Sequence, residues 1–563
     1  MPLQPDPEWW KSSVVYQIYP SSFQDSDGDG VGDLAGVIGR LDYLKLLGVD
    51  AVWLSPIYPS PWEDNGYDIS DYFDIHPRFG TLADWDRLRD GLHERGMRLV
   101  MDLVVNHTSD EHPWFTESRS SVDSEKRGYY FWRSPREDGQ APNNWGSVFS
   151  GSAWDLDEAT GEYYLHLFSR RQPDLNWDDP RVRREVHEIA RWWLDRGADG
   201  FRMDVVNFVS KSPGLPDGRP VGDFGSPDEH VINGPRLHEF LSEMHETVFA
   251  GRNVVTIGEM PGVDVGQARL HTNPDRHELN MVFQFEHVDV DHGPGGKFDP
   301  VPLDLRVLKS SLNRWQTELG DCGWNSLYWS NHDQPRVVSR FGDDERYRET
   351  SAKTLATTLH MLKGTPFVYQ GEELGMTNAH FDDIEDYRDI ETLRHYREIR
   401  ASGRTTAEAV MPAIRRMSRD NARTPMQWDA SANAGFTPGT PWISVNSNHT
   451  EINAQAAVDD PGSVFHHYRR IIDLRKRYPV IVHGTFAPLL EEHDSIYAYT
   501  RTLGEQILLV LANWSGEVAE VNLRPEEFGN SPQLLLGTHR EPNTVLAPLR
   551  PWESRIYLGR RAK

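Results

Sequence analysis

Gly200-Phe201-Arg202-Met203-Asp204-Val205 is a short, mostly apolar run that carries an arginine and closes on a carboxylate. It has counterparts elsewhere in the chain: Thr256-Ile257-Gly258-Glu259 ends on Glu259, and Ser330-Asn331-His332-Asp333 ends on Asp333. Each acid taken alone is most simply a strand-end cap or an ion-pair partner. Three acids closing β-rich runs along one chain point instead to a single site built from several strands. A βα barrel gathers its chemistry in this way, at the C-terminal face of its strands. Converging carboxylates suit cleavage of a glycosidic bond, where one donates a proton and another attacks or stabilises the anomeric carbon.

Working outward, eight β-rich runs are legible: Val14–Pro20, Ala51–Pro56, Leu99–Val104, Gly200–Val205, Val254–Met260, Met281–Glu286, Ser326–Asp333 and Thr365–Glu373. Most are near-continuous apolar runs, as parallel strands buried on both faces require. Trp85–Arg95 and Arg181–Arg196 show the three-to-four spacing of helices. The expected fold class is therefore α/β: a (β/α)8 barrel with an inserted lobe after the third strand and a C-terminal all-β domain. The barrel is expected over 1–106 and 177–480. The lobe would cover 107–176, with a strand-like piece at Tyr163–Phe168, and a second insert follows the eighth strand at about 375–461. Both inserts fall on the carboxylate face. Beyond the helical stretch Val464–Arg477, the runs Ser495–Arg501, Gln506–Asn513, Val518–Leu523 and Ser554–Leu558 predict a β-sandwich over 481–563.

At 563 residues the chain exceeds one ordinary core. A net charge of -27 argues against nucleic acid and anionic membranes as partners, since both need basic patches. It fits a protein with a small neutral substrate. Cys322 is the single cysteine, so an intrachain disulfide is excluded and a reducing, cytoplasmic setting is expected. The first ten residues lack a basic and apolar leader pattern, and no apolar run approaches the roughly 18 residues of a membrane span. Nothing in the sequence bears on oligomeric state.

Asp25-Ser26-Asp27-Gly28-Asp29-Gly30-Val31-Gly32-Asp33 follows the first run. Alternate acids with intervening glycines can fold carboxylates around a hard cation. The spacing starts like an EF-hand, but its twelfth position is Gly36, so a metal loop of another kind, or a solvated acidic turn, remains. Arg202 lies two residues before Asp204, so both side chains share a face, and the arginine favours an ionised carboxylate. Glu259 sits in an apolar local run, which raises a carboxyl pKa and suits a general acid.

The chain resembles the α-amylase superfamily, glycoside hydrolase family 13, and within it the oligo-1,6-glucosidase and α-glucosidase group. Several stretches carry the likeness: Val15–Pro20, DLVVNHT ending at Thr108, QPDLNW (172–177), GFRMDV, GEM, SNHDQPR (330–336), YQGEELGMTN (369–378) and ARTPMQWD (422–429). The resemblance implies that Asp204 is the nucleophile, Glu259 the acid/base and Asp333 the stabiliser of the transition state. It implies that His107, Arg202 and His332 hold hydroxyls of the terminal glucose. Tyr67 would stack on that glucose, and Asp64 with Arg423 would grip its far edge. Phe149, Phe168 and Gln172 would line the pocket from the lobe. A loop ligating Ca2+, or Mg2+, through Asp25, Asp27, Asp29, Asp33 and the Val31 carbonyl is likewise implied. Val205, next to the nucleophile, resembles enzymes acting on α-1,6 bonds, where Thr resembles maltases. Short glucosides are the implied substrates.

Relatives in the same superfamily compete. Sucrose isomerases resemble one another in an Arg-Leu-Asp-Arg-Asp stretch, where this chain has Pro302-Leu303-Asp304-Leu305-Arg306. Trehalose-6-phosphate hydrolases need cations for the phosphate, and Arg170-Arg171 is the nearest candidate. A transporter heavy chain would carry a membrane span and lack the full acid set, and a sugar-binding module would need no acid/base pair.

Overall fold

Apolar runs of four to eight residues cannot satisfy their own backbone groups, so they pair, and here they pair in parallel. The computed structural model describes residues 8–320, 322–379, 381–403, 406–539 and 544–561. Residues 1–7, where a leader pattern was sought, lie outside that set. The barrel strands are β1 (Val15–Ile18), β2 (Ala51–Leu54), β3 (Arg98–Val104), β4 (Gly200–Asp204), β5 (Val255–Glu259), β6 (Met281–Phe283), β7 (Ser326–Leu327) and β8 (Thr365–Tyr369). Their order is β6-β5-β4-β3-β2-β1-β8-β7, and a parallel bridge between Val282 and Asn325 joins the two ends into a barrel.

All eight expected runs are strands, most of them shortened. The largest shortening is β7, which was expected to reach Asp333. The Tyr328 carbonyl accepts from His287 Nε2 at 2.6 Å rather than from a neighbouring strand, so the ladder stops and the chain reaches Asp333 as a loop. Gly200 opens β4 at φ 150°, and a Cβ there would lie 2.1 Å from the Val255 carbonyl oxygen, so only glycine fits.

Helices α1 (Leu82–Glu94) and α2 (Pro180–Arg196) contain the two periodic stretches. Thr81 and Asp84 form a capping box at the start of α1, and Asp179 caps α2 ahead of Pro180. The wall continues through α3 (Leu237–Met244), α4 (Val265–His271), α5 (Leu305–Glu318) and α6 (Arg348–His360). The lobe contains a three-stranded antiparallel sheet built from Trp132–Arg133, Trp154–Asp157 and Glu162–Leu165. The second insert contains α7 (Ile390–Ser402) and α8 (Ala407–Met417), followed by a short helical turn, Asp420–Arg423.

The C-terminal region differs from the expected two-sheet sandwich. It is one five-stranded antiparallel sheet of β9 (Thr485–Leu489), β10 (Ile496–Leu503), β11 (Gln506–Asn513), β12 (Asn530–Gly537) and β13 (Ser554–Arg560), ordered β9-β10-β11-β13-β12. The stretch 518–523 contributes only a bridge from Ala519 to Leu549 among the described residues. One face of the sheet docks on the barrel: Tyr499 donates to the Thr358 carbonyl at 2.7 Å, and Lys309 Nζ donates to the carbonyls of Leu490, His493 and Ile496 at 2.6–3.1 Å. No described helix is long and apolar enough to cross a membrane.

Candidate active site

Strand register brings the acids together. Arg202 on β4 pairs with Asp102 on β3 and with Ile257 on β5. Two residues further on, Asp204 is level with Val104, Glu259 follows directly after Gly258, the partner of Met203, and period-two alternation turns Arg202 and Asp204 inward together. The buried Arg202 guanidinium contacts three carboxylates: Nη1 lies 2.7 Å from Asp204 and 3.0 Å from Asp102, and Nη2 lies 2.5 Å from Glu259. Asp102 was not picked out from the sequence, although an aspartate inside an apolar run is the signal that could have found it.

Three acids around one arginine leave excess negative charge in a buried space. Burial is the largest influence on Asp204 and pushes it up to about 7 against the pull of Arg202. Burial also pushes Glu259 up to about 8, reinforced by the charges of Asp204 and Asp333. Glu259 is therefore the natural proton carrier, as its apolar local run leads one to expect, with the neighbouring carboxylates adding to the effect of burial. Arg202, expected to keep Asp204 readily ionised, only partly offsets its desolvation. Asp333 behaves in the opposite way. Burial works against its charge, but the adjacent His332 ring, with Nε2 at 3.2 Å, and the guanidiniums of Arg419 at 3.2 Å and Arg423 at 2.7 Å hold its carboxyl far below the usual range.

The Val205 backbone is left-handed, at φ 34° and ψ 42°. A β-branched residue there is strained, and such strain concentrates at functional sites. Its consequence is visible: the Val205 amide donates to Glu259 Oε2 at 3.1 Å.

The substrate-binding candidates converge on the same space. Burial keeps His332 and His107 neutral, with pKa values pushed down to about 3 and about 4. They offer ring nitrogens rather than charge. Gln17 Nε2 lies 2.9 Å from His332 Nδ1 and His332 Nε2 faces Asp333 Oδ2 at 3.2 Å, while Arg423 Nη1 is buried without a hydrogen-bond partner, as a group awaiting a hydroxyl would be. Gln172 Nε2 donates to Asp64 Oδ2 at 3.2 Å and lies 3.2 Å from His107 Nε2. Phe168 contacts both His107 and Phe149, with centroids 5.1 and 5.5 Å away.

Asp64, expected with Arg423 at the far edge of the sugar, does not pair with that arginine. Its partner is Arg419, at 3.2 Å, while Arg423 reaches Asp333 and the His332 carbonyl. Arg419 also binds Asp389 at 2.6 Å and sits 5.2 Å over the Phe149 ring. It lies one helical turn before Arg423, and that spacing was the available signal. Tyr67 presents one face to His332 (centroids 5.1 Å apart, 6° between planes), and its hydroxyl donates to Asp102 at 3.1 Å. Arg336 holds the turn bearing Arg423 in place, donating to the carbonyls of Gln370, Asn421 and Ala422 at 2.5–3.2 Å.

Away from the acids, the loop after β1 gathers oxygens of Asp25, Asp27 and Asp29 within 4.8 Å of one another. These hard donors suit a hard cation, and no ion pair to any of the three occurs among the described residues. Asp33 does not join them. It caps the helix Leu34–Gly39, accepting from the Gly36 amide at 2.7 Å and from Ser26 at 2.8–2.9 Å. The Val31 amide donates to Asp29 at 2.8 Å.

Residues 17–484 match the family described as Alpha amylase, catalytic domain. The chain is 58% identical over 554 residues to an oligo-1,6-glucosidase of Parageobacillus thermoglucosidasius, covering 98% of each. It is 49% identical to a trehalose-6-phosphate hydrolase of Bacillus subtilis (strain 168), again over 98% of each. Among solved structures, a trehalose-6-phosphate hydrolase variant from Bacillus licheniformis in complex with PNG superposes with a TM-score of 0.94 at 46% identity, covering 98% of this chain and 100% of the other.

Proposed function

Since the chain belongs to the α-amylase family and is a glycoside hydrolase, we propose that it is a retaining, exo-acting α-glucosidase that releases terminal glucose from short α-glucosides, favouring α-1,6 bonds. The observation that carries this reading is the Arg202 guanidinium shared by Asp204 and Glu259, opposite the fully ionised Asp333. A shared guanidinium keeps the two carboxyls close, and close carboxyls suit direct attack by one of them rather than by an intervening water.

Asp204 attacks C1 and forms a glucosyl ester as the C1–O bond breaks. Glu259 gives its proton to the departing oxygen. It then takes a proton from water, whose oxygen attacks C1 and returns Asp204 as carboxylate. Asp333 holds sugar hydroxyls and stabilises the oxocarbenium-like transition state. The Asp64–Arg419–Asp389 network closes the pocket behind that sugar, so only chain ends enter. The test is the product profile on isomaltose, maltose, sucrose, trehalose and trehalose-6-phosphate. Glucose should come faster from isomaltose than from maltose and appear first as the α-anomer. Preference for maltose would remove the α-1,6 reading, and cuts inside long glucans would remove the closed pocket.

Val205 underlies the linkage preference. Val205→Thr keeps the β-branched shape at a left-handed position, so it changes polarity with little change in backbone. It should raise the ratio of maltose to isomaltose cleavage about tenfold, equivalent to about 1.4 kcal/mol. An unchanged ratio would place the determinant elsewhere.

A second reading has an observation of its own. Arg171, half of the Arg170-Arg171 pair, is tied to Asp110 and Glu111. Arg170, however, lines a cleft beside Phe149 together with Arg394 and Arg397. Three guanidinium groups next to the pocket suit a phosphorylated sugar. If trehalose-6-phosphate is cleaved faster than isomaltose, and Arg170→Ala with Arg397→Ala abolishes that advantage, the second reading replaces the first.

The Asp25–Asp29 loop is proposed to bind Ca2+, with Mg2+ the alternative, in a structural role, because it contains none of the pocket acids. Removing the ion should lower melting temperature while room-temperature turnover holds; a site filled at a hundredfold excess over Kd contributes about 2.7 kcal/mol. Immediate loss of turnover with unchanged melting would contradict this. The single cysteine supports a reducing, cytoplasmic setting.

A further inference from the structure

His238 on α3, His271 at the end of α4 and Glu278 in the loop before β6 meet away from the sugar pocket, with one ligand atom of each lying within 4.8 Å of the others. His271 Nδ1 is 2.7 Å and His238 Nδ1 2.9 Å from Glu278 Oε2, so two imidazoles aim the same ring atom at one oxygen. The rings stack with centroids 4.4 Å apart and 23° between their planes. Arg276 takes the other oxygen, Oε1, through Nε at 3.0 Å and Nη2 at 2.9 Å. The glycosidase reaction uses none of these groups.

We propose that His238, His271 and Glu278 form a binding site for a transition-metal ion of the zinc class. Two imidazole nitrogens and a carboxylate oxygen are a donor set that suits Zn2+ over Ca2+ or Mg2+, whose preference is for all-oxygen sites. Arg276 acts as the outer partner that orients the carboxylate, as metal-ligating carboxylates commonly require. His271 and Glu278 are buried and His238 is 42% exposed, so an ion can reach the cluster from the His238 side. A bound ion would tie α3, α4 and the β6 loop together, a structural role.

The test uses the full chain, stripped of metal and dialysed against Zn2+ alone, with Co2+ as spectroscopic probe. One zinc per chain is expected at this site, together with the intense visible bands of a four-coordinate cobalt centre. His238→Phe retains the stacked ring and Glu278→Gln retains the shape. Each should weaken zinc binding by at least about 100-fold, the upper end of what even outer partners contribute. Far-ultraviolet circular dichroism and unchanged turnover of His238→Phe would show an intact fold. Absence of zinc binding, native-like affinity in both variants, or only the weak cobalt spectrum of an octahedral all-oxygen site would each overturn the proposal.

Discussion

Asp204→Asn is expected to fold and to lose about ten-thousand-fold or more in kcat. An amide cannot form the glucosyl ester, and removing a nucleophile from a coupled catalytic set generally leaves only residual activity. Folding should survive because Arg202 keeps Asp102 at 3.0 Å and Glu259 at 2.5 Å, so its buried charge stays paired. The measurements are thermal melting and turnover of isomaltose. Activity within tenfold of the native enzyme would sink the assignment. Collapse of the fold would show instead that Asp204 is needed to balance Arg202, and the isosteric comparison with Asp102→Asn would separate the two effects.

Glu259→Gln is expected to lower kcat by about 10²–10⁴-fold, the range of a positioned proton donor. The loss should be smaller for glucosylation from a p-nitrophenyl glucoside, whose leaving group needs little protonation. The pH profile gives an independent check. Glu259 works protonated, and burial pushes it up, so activity is present below about pH 8 and is lost as pH rises through that value. Asp204 works ionised and is also raised by burial, so activity falls on the acid side well above the ordinary carboxylate range. The native kcat/KM should be bell-shaped, with both limbs belonging to the coupled pair. In Glu259→Gln the alkaline limb should vanish. If it persists, another group carries the proton.

Much of the site was legible because chemistry and secondary structure share a period. Asp204 and Glu259 close apolar runs, Asp333 follows one at a few residues' distance, and Arg202 stands two residues from Asp204, so strand alternation alone placed Arg202 and Asp204 on one face. Where side chains meet across distant segments, local spacing fell short. Arg419, not Arg423, reaches Asp64, because the turn before Arg423 carries it over the pocket edge. Asp33, which the resemblance names as a metal ligand, also caps the helix that follows it, accepting from the Gly36 amide, a role that metal-loop spacing does not display.

The sequence by itself determined the eight-stranded barrel and the position of the lobe and offered the acidic trio as candidates, since strands follow from apolar periodicity and Asp204 and Glu259 end their runs. Only the tertiary structure decided the protonation pattern. Glu259 has an apolar local run but charged neighbours from other strands, and its raised pKa comes from burial beside Asp204 and Asp333. Asp333, whose side chain is partly exposed, stays ionised as Arg419 and Arg423 reach it from an insert some ninety residues later. Only the fold also brought His238, His271 and Glu278 together. The physical reason is common to all three: desolvation and Coulomb interactions act through space over a few ångströms, and which charges fall within that range is set by packing rather than by position along the chain.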